Sequence, residues 1–306
     1  MNPVEADRQK HAAALDALAK GRHSDPFALL GLHRADGNRI VRTFQPQANA
    51  VSLIGADGSV LGEMERIHND GIFAATLPPR KRRYRLRIIN FDGTTYDTED
   101  AYRFPSTLGD LDLYLLGEGS HRNIYTVMGA QARTLLGIAG TRFAVWAPNA
   151  SRVSVIGDFN SWDGRRHAMR VHPGNGIWEI FIPEMQPGAY YKFELCDRNG
   201  KLLPLKTDPL AHYYEPPPGN AAIVYQSQHK WTDDDWQQKR TPNPRLDEPV
   251  SIYEVHLGSW RRNPEQHNRS LTYREMATEL VEYVVDMGFT HIELLPITEF
   301  PFEGSW

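Results

Sequence analysis

A ten-residue segment early in the chain recurs 102 positions later, and that recurrence limits the fold more than any other feature. Pro46-Gln47-Ala48-Asn49-Ala50-Val51-Ser52-Leu53-Ile54-Gly55 and Pro148-Asn149-Ala150-Ser151-Arg152-Val153-Ser154-Val155-Ile156-Gly157 share six identical residues. Two more matches follow in the same order. Gly71-Ile72-Phe73 to Leu77-Pro78 answers Gly176-Ile177-Trp178 to Ile182-Pro183, and Tyr84-Arg85-Leu86 answers Tyr191-Lys192-Phe193, at offsets of 105 and 107. The drift is what loops of unequal length produce between strands that keep their order. A period near 100 residues is a whole domain, too long for a solenoid unit. Trp178, Ile180 and Ile182 alternate with Glu179 and Phe181, and Tyr191, Phe193 and Leu195 alternate with Lys192 and Glu194. Such two-residue periodicity, broken by turn residues, predicts antiparallel strands with one face on a core. The expectation is two tandem all-β, immunoglobulin-like sandwiches.

The chain holds 306 residues, room for two or three domains. Glu5 to Lys20 reads as a helix with Ala12, Leu15, Leu18 and Ala19 on its apolar side and Gly21 at its stop. Ser24 or Asp25 can cap a one-turn helix opened by Pro26. The expected boundaries are 1–23 for the N-terminal helix, 24–115 and 116–240 for the two sandwiches, and 241–306 for a linker and a different structure. Thr241-Pro242-Asn243-Pro244 supplies the linker's breakers.

Composition narrows the function classes. Mean hydropathy is −0.52, and no apolar run approaches the ~20 residues of a membrane span. The charged N-terminus lacks the apolar core of a secretory signal, and the lone Cys196 suits a reducing compartment, so a cytoplasmic location is expected. There the triplets Asn149-Ala150-Ser151 and Asn268-Arg269-Ser270 are accidental as glycosylation signals. A net charge of −4 with no basic domain argues against nucleic-acid binding. The run Arg80-Lys81-Arg82-Arg83-Tyr84-Arg85 is read as a solvated turn or strand face. No phosphate-cradling glycine loop, His-Glu-x-x-His, Gly-x-Ser-x-Gly or cysteine pair is present.

From Val250 the pattern changes. Val250 to His256 and His291 to Ile297 read as strands. Between them Thr272-Tyr273-Arg274-Glu275 forms a capping box, Met276, Leu280, Val284 and Met287 recur at helical spacing, and Gly288 supplies a stop. The unit is βαβ, so its strands are expected to be parallel and buried on both faces. A (β/α)8 barrel needs about 250 residues. Only 57 remain from residue 250, so the chain is expected to carry the first βαβ unit of an incomplete barrel.

Three strings then carry a family likeness. Tyr253-Glu254-Val255-His256-Leu257-Gly258-Ser259-Trp260, Gly288-Phe289-Thr290-His291-Ile292-Glu293-Leu294-Leu295-Pro296-Ile297 and Phe300-Pro301-Phe302-Glu303-Gly304-Ser305-Trp306 closely resemble the first two barrel strands of bacterial glycogen (1,4-α-glucan) branching enzymes of the α-amylase superfamily. Asp25-Pro26-Phe27-Ala28-Leu29-Leu30-Gly31 is similar to the start of that family's extra N-terminal domain. Gly157-Asp158-Phe159-Asn160-Ser161-Trp162 is similar to its starch-binding type sandwich. The resemblance implies a retaining double displacement on α-1,4-glucan (glycogen or amylose): an Asp attacks the anomeric carbon, a Glu protonates the leaving oxygen, and a 6-hydroxyl of another chain then forms an α-1,6 branch. It implies no cofactor or metal, and it places the catalytic carboxylates on later strands, beyond Trp306. No catalytic residue is therefore expected here, and the polypeptide is expected to be inactive alone and monomeric. A non-catalytic glucan-binding scaffold, a malto-oligosyltrehalose hydrolase and an isoamylase are the alternatives. Glu254 and Glu293 lie in mid-strand, whereas barrel chemistry sits at strand ends, so they are assigned to a buried polar network. Trp162 and Lys192 are the candidate glucan-binding residues, an indole platform and a hydroxyl partner. Trp260, Phe302 and Trp306 fall on loops that would face substrate, Trp178 belongs to the core, and Cys196 is a small buried hydrophobe.

Overall fold

The computed structural model describes residues 2–79, 83–240 and 248–297. Residues up to Ser227 form one compact unit, and the described residues from 228 to 297 form another.

In the first unit, helix α1 (Pro3–Ala19) is capped by Asn2, whose side chain accepts from the Val4 N–H. It buries Val4, Leu15, Leu18 and Ala19 against Leu30, Ile40, Phe44 and Ile72. Of the predicted apolar side, Leu15, Leu18 and Ala19 are buried while Ala12 is exposed, and one charged residue joins them. Asp7 is buried beneath the helix and receives Arg42 in a bidentate pair at 2.7 and 2.5 Å, while the same guanidinium donates to the Leu29 carbonyl at 2.7 Å. Both charges are thereby satisfied, as burial requires. Asp25 caps the turn Pro26–Ala28 through the Phe27 N–H, as expected.

Eight strands follow: β1 (Gly31–Ala35), β2 (Asn38–Phe44), β3 (Ala48–Ile54), β4 (Val60–Glu63), β5 (Glu65–His68), β6 (Ile72–Thr76), β7 (Arg85–Asn90) and β8 (Thr95–Thr98). They form two sheets, ordered β1-β2-β6-β5 and β4-β3-β7-β8, with Val41, Val51, Leu53, Phe73, Leu86 and Ile88 between them. After a short helix α2 (Asp110–Glu118) come β9 (Gly129–Leu135), β10 (Ile138–Trp146), β11 (Arg152–Ile156), β12 (Arg170–His172), β13 (Ile177–Pro183), β14 (Tyr190–Cys196) and β15 (Ala222–Ile223). Their sheets are β9-β10-β13-β12 and β11-β14-β15. The second copy repeats the first pairing for pairing: β2 with β6 becomes β10 with β13, and β3 with β7 becomes β11 with β14.

The repeated residues explain why. Gly71 has φ +96° and lies so close to Pro46 that an added Cβ would sit 2.5 Å from its Cα; Gly176, φ +70°, stands against Pro148 at 2.6 Å. In both copies the residue before that proline donates its N–H to the glycine carbonyl, Gln45 to Gly71 at 2.7 Å and Ala147 to Gly176 at 3.0 Å. Only glycine fits this conformation and approach without strain. A buried tyrosine is duplicated too. The Tyr84 hydroxyl donates to Asp100 at 2.6 Å and that of Tyr191 to Asp208 at 2.7 Å. The aspartates turn back to accept the Tyr102 and Leu210 N–H groups.

One sequence expectation fails in the second sandwich. Trp178, Ile180 and Ile182 face the core, but Glu179 and Phe181 are buried as well. The segment joining the sandwiches crosses their outer face: the Phe104 ring lies 4.8 Å from that of Phe181, and Ser106 and Thr107 donate to Glu179. Cys196 is buried, as expected.

The second unit contains helix α3 (Asp234–Lys239), strand β16 (Ile252–Val255), a single turn α4 (Leu257–Trp260), a small hairpin of β17 (Arg262–Asn263) and β18 (Arg269–Ser270), helix α5 (Tyr273–Asp286) and strand β19 (His291–Leu294). The Thr272–Glu275 capping box opens α5, and Met276, Leu280 and Val284 are buried. Met287 is a correction: it caps the helix and is exposed, one residue past the periodic stripe. β16 and β19 pair in parallel, Ile252 opposite His291. Burial on both faces is not found, because α5 covers one face and β19 is exposed throughout its length among the described residues. The linker expected at 241–244 and the string from Phe300 to Trp306 lie outside the described residues, as do Arg80, Lys81 and Arg82.

Candidate functional site

The turn after β11 is organised residue by residue. Gly157 passes so near the Tyr190 carbonyl that a Cβ would fall 2.2 Å from its oxygen. Asn160, fully buried, accepts from the Gly157 N–H at 3.0 Å and donates to the Val155 carbonyl at 2.8 Å. Its amide also donates to His167, a ring held neutral because burial pushes its pKa down to about 3. Ser161 and Trp162 both take left-handed backbone angles, φ +57° and +58°. Two such residues in succession cost on the order of 1 kcal/mol each, and strain of this kind persists where the surroundings over-determine it. The result is an indole turned outward, 38% exposed, with its Nε1 donating to Asp158 at 2.8 Å.

That indole edges a pocket of about 300 Å³ whose other walls are Asp158, Tyr190, Lys192, Glu215 and Ala221. Lys192 lies on β14 and its ammonium donates to the Asn220 side chain. Asn220 is itself fixed: its N–H donates to Glu215 at 2.6 Å, and its carbonyl accepts from Thr207 at 2.6 Å. Trp162 and Lys192, predicted from sequence, are thus brought together. Tyr190, Asn220 and Glu215 were not anticipated. Tyr190 stands two residues before Lys192 on β14, so strand alternation puts both on one side and could have marked it, whereas Asn220 and Glu215 arrive from a distant loop that no local pattern marks. Two exposed aromatic rings beside an ammonium, an amide and carboxylates suit a neutral, polyhydroxylated ligand with an apolar ring face.

Other candidates part from this site. Trp178 is core, its Nε1 donating to the Ala147 carbonyl at 3.0 Å. Trp260, in the second unit, is half-buried; its Nε1 donates to the Tyr253 hydroxyl at 3.1 Å, and Arg261 lies 4.3 Å over its ring. Phe302 and Trp306 lie outside the described residues. Glu254 and Glu293 are register partners across β16 and β19, and both are exposed rather than enclosed in a polar network. Their face is the one α5 leaves bare, because alternate strand residues point to opposite sides. Of the basic run, Arg83 is exposed, Tyr84 is buried, and Arg85 pairs with Glu184 at 2.8 Å and Glu99 at 3.4 Å. Among the described residues no group of three or more His, Cys, Asp or Glu could hold a metal ion, and no helix is long and apolar enough to cross a membrane.

A sandwich that presents an indole and a second aromatic ring beside hydroxyl-seeking groups has the make-up of a carbohydrate-binding module, and residues 127–211 match carbohydrate-binding module 48 (isoamylase N-terminal domain). Residues 11–102 match the family described as alpha-1,4-glucan branching enzyme GlgB, N-terminal domain. Along nearly its whole length the chain is similar to part of the proteins named 1,4-alpha-glucan branching enzyme GlgB. It is 52% identical over 303 residues to the enzyme of that name from Paramagnetospirillum magneticum, covering 99% of this chain and 40% of the relative. The Rhodospirillum rubrum enzyme is 53% identical over 98% of this chain and 41% of its own length, and that of Rubrobacter xylanophilus 52% over 96% and 40%. The chain therefore spans about 40% of the length of the curated relatives it matches. Among solved structures, an apo pullulanase from Klebsiella pneumoniae aligns with 89% of this chain and 33% of its own, at 18% identity and a TM-score of 0.42.

Proposed function

We propose that this chain is the N-terminal portion of a 1,4-α-glucan branching enzyme and that its second sandwich binds α-1,4-glucan through Trp162, Tyr190, Lys192 and Asn220. The observation that carries the reading is the convergence of Trp162 and Lys192 on one pocket beside a second exposed aromatic ring. An apolar sugar face stacks on the indole while Lys192 and Asn220 hydrogen-bond its hydroxyls. The parallel β16–α5–β19 unit is read as the opening of a (β/α)8 catalytic barrel. Retaining transfer to a 6-hydroxyl is then performed by an Asp and a Glu outside these residues, and this chain's part is to hold the glucan. Action in the cytoplasm, as a monomer without nucleic-acid or membrane partners, completes the reading, on the grounds of the single cysteine, the mild negative charge and the neutral polymer substrate.

Electrophoresis in gels containing glycogen tests the binding. The chain should be retarded, and Trp162→Ala should abolish most of the retardation, since loss of a sugar-stacking indole removes about 1–3 kcal/mol, or five- to a hundredfold in affinity. Mobility that does not change with glycogen would remove the assignment. Branching by this chain, read as a shift in the iodine–amylose spectrum, would show that it carries the catalytic groups after all.

A further inference from the structure

Trp162 belongs to more than one pocket. The same residue lines another of about 460 Å³, together with Lys20, Gly21 and Arg22 from the end of α1 and with Arg165 and Leu202 from the second sandwich. Both volumes lie within the roughly 300–1,000 Å³ of small-molecule sites. The two share Trp162, and the second is lined on one part by residues that follow α1 in the first sandwich's half of the unit.

The first sandwich also holds the turn that carries the indole. Gln47, in the repeated segment, donates to the Ser161 hydroxyl at 3.1 Å and accepts from Arg166 at 3.2 Å. Arg165 donates to the Ala19 carbonyl at the end of α1 and lies 5.5 Å over the Phe44 ring. Gly21, φ +65°, lets α1 end against Arg152, where a Cβ would come within 2.7 Å of the guanidinium.

Three of the four cations that line the second pocket are closely matched. Arg165 is paired with Asp163, Arg152 with Glu194, and Lys20 with Asp16. It is therefore not built for an anion. What it offers is the exposed apolar side chain of Leu202, Trp162, and the Arg22 guanidinium, 63% exposed and no closer than 3.7 Å to Asp16. These are stacking and donor groups for a neutral polyol.

We propose that the glucan site is composite: a groove crossing Trp162, in which the α1 end of the first sandwich supplies a second subsite and Arg22 donates to hydroxyls of the same α-1,4-glucan chain. This rests on Trp162 being a glucan platform. It assigns the N-terminal module a direct role in binding and makes the site selective for chains longer than one pocket holds.

The test is calorimetric titration of the whole chain with maltotriose and maltoheptaose, for the wild type and for Arg22→Ala, Arg22→Lys and Trp162→Ala. Arg22→Ala should weaken maltoheptaose about fivefold, the worth of one hydrogen bond, and leave maltotriose unchanged; Arg22→Lys should restore part of the loss. Arg22 is exposed and reaches Asp16 only at 3.7 Å, so the fold should be unaffected, as an unchanged thermal midpoint would report. If Trp162→Ala abolishes binding while Arg22→Ala binds both sugars like the wild type, the groove ends at the indole and the composite site is wrong although the platform stands. If Trp162→Ala also binds like the wild type, the platform and the proposal fall together.

Discussion

Two buried carboxyls make opposite contributions to stability. Burial pushes Asp100 up to about 6, against the hydrogen bonds from Tyr84 and the Tyr102 N–H. Its folded value lies above the unfolded one, so its contribution is complete below about pH 4 and is lost as pH rises through about 6, on the order of 3 kcal/mol. Burial would also raise Glu179, but donors from His172, Ser106 and Thr107 outweigh it and hold the carboxyl at about 2. That contribution is present above about pH 4.5 and fades as pH falls toward 2, again on the order of 3 kcal/mol. Urea unfolding from pH 2 to 8 checks both: Asp100→Asn should flatten the decline between about pH 4 and 7, and Glu179→Gln should flatten the rise below about pH 4.5. Unchanged slopes would contradict the burial of Asp100 or the hydrogen bonds to Glu179. Neither carboxyl was legible in the sequence. Glu179 sat on the strand's polar parity, and only the segment crossing over it encloses it.

Among the elements, the paired glycines separate two effects that sequence inspection merges. Gly37 and Gly176 both have positive φ, +79° and +70°, but nothing lies within 4 Å of a Cβ built at Gly37, while Pro148 stands 2.6 Å from one at Gly176. Gly37→Ala should cost about 1 kcal/mol, from backbone strain alone, and Gly176→Ala on the order of 2–4 kcal/mol. Equal shifts in denaturation midpoint would show that the close packing on Pro148 contributes nothing. At α5 the Thr272 hydroxyl accepts from the Glu275 N–H at 3.3 Å and the Glu275 carboxylate from the Thr272 N–H at 2.7 Å. Both caps were readable because the groups that form them are three residues apart. Met287 was misassigned because helical periodicity does not mark the last turn, where Gly288 at φ +76° already bends the chain away.

For the whole first unit, contacts between the sandwiches outweigh their separate identities. The Tyr102 hydroxyl lies 3.1 and 3.2 Å from the Arg166 and Ala168 carbonyls, Arg170 lies 3.7 Å over the Phe27 ring, and Ala101 joins the core of the second sandwich. The two copies should therefore unfold together. Native-state hydrogen exchange checks this: amides of β6 and β7 should open with the same free energy as those of β13 and β14, and Tyr102→Ala should lower both equally. Opening of one copy at a much lower free energy would show two independent domains.

The duplicated architecture, the parallel strand–helix–strand unit and the outward indole of Trp162 all follow from order along the chain, because each depends on spacing between near neighbours or on a segment that repeats. Where the walls of the binding pocket come from does not. Asn220 meets Lys192 across a loop, Glu179 and Phe181 are buried by a crossing segment, and the residues that end α1 share a pocket with Trp162. Those are contacts between residues far apart in sequence, set by how sheets and helix close on one another, and periodicity carries no record of them.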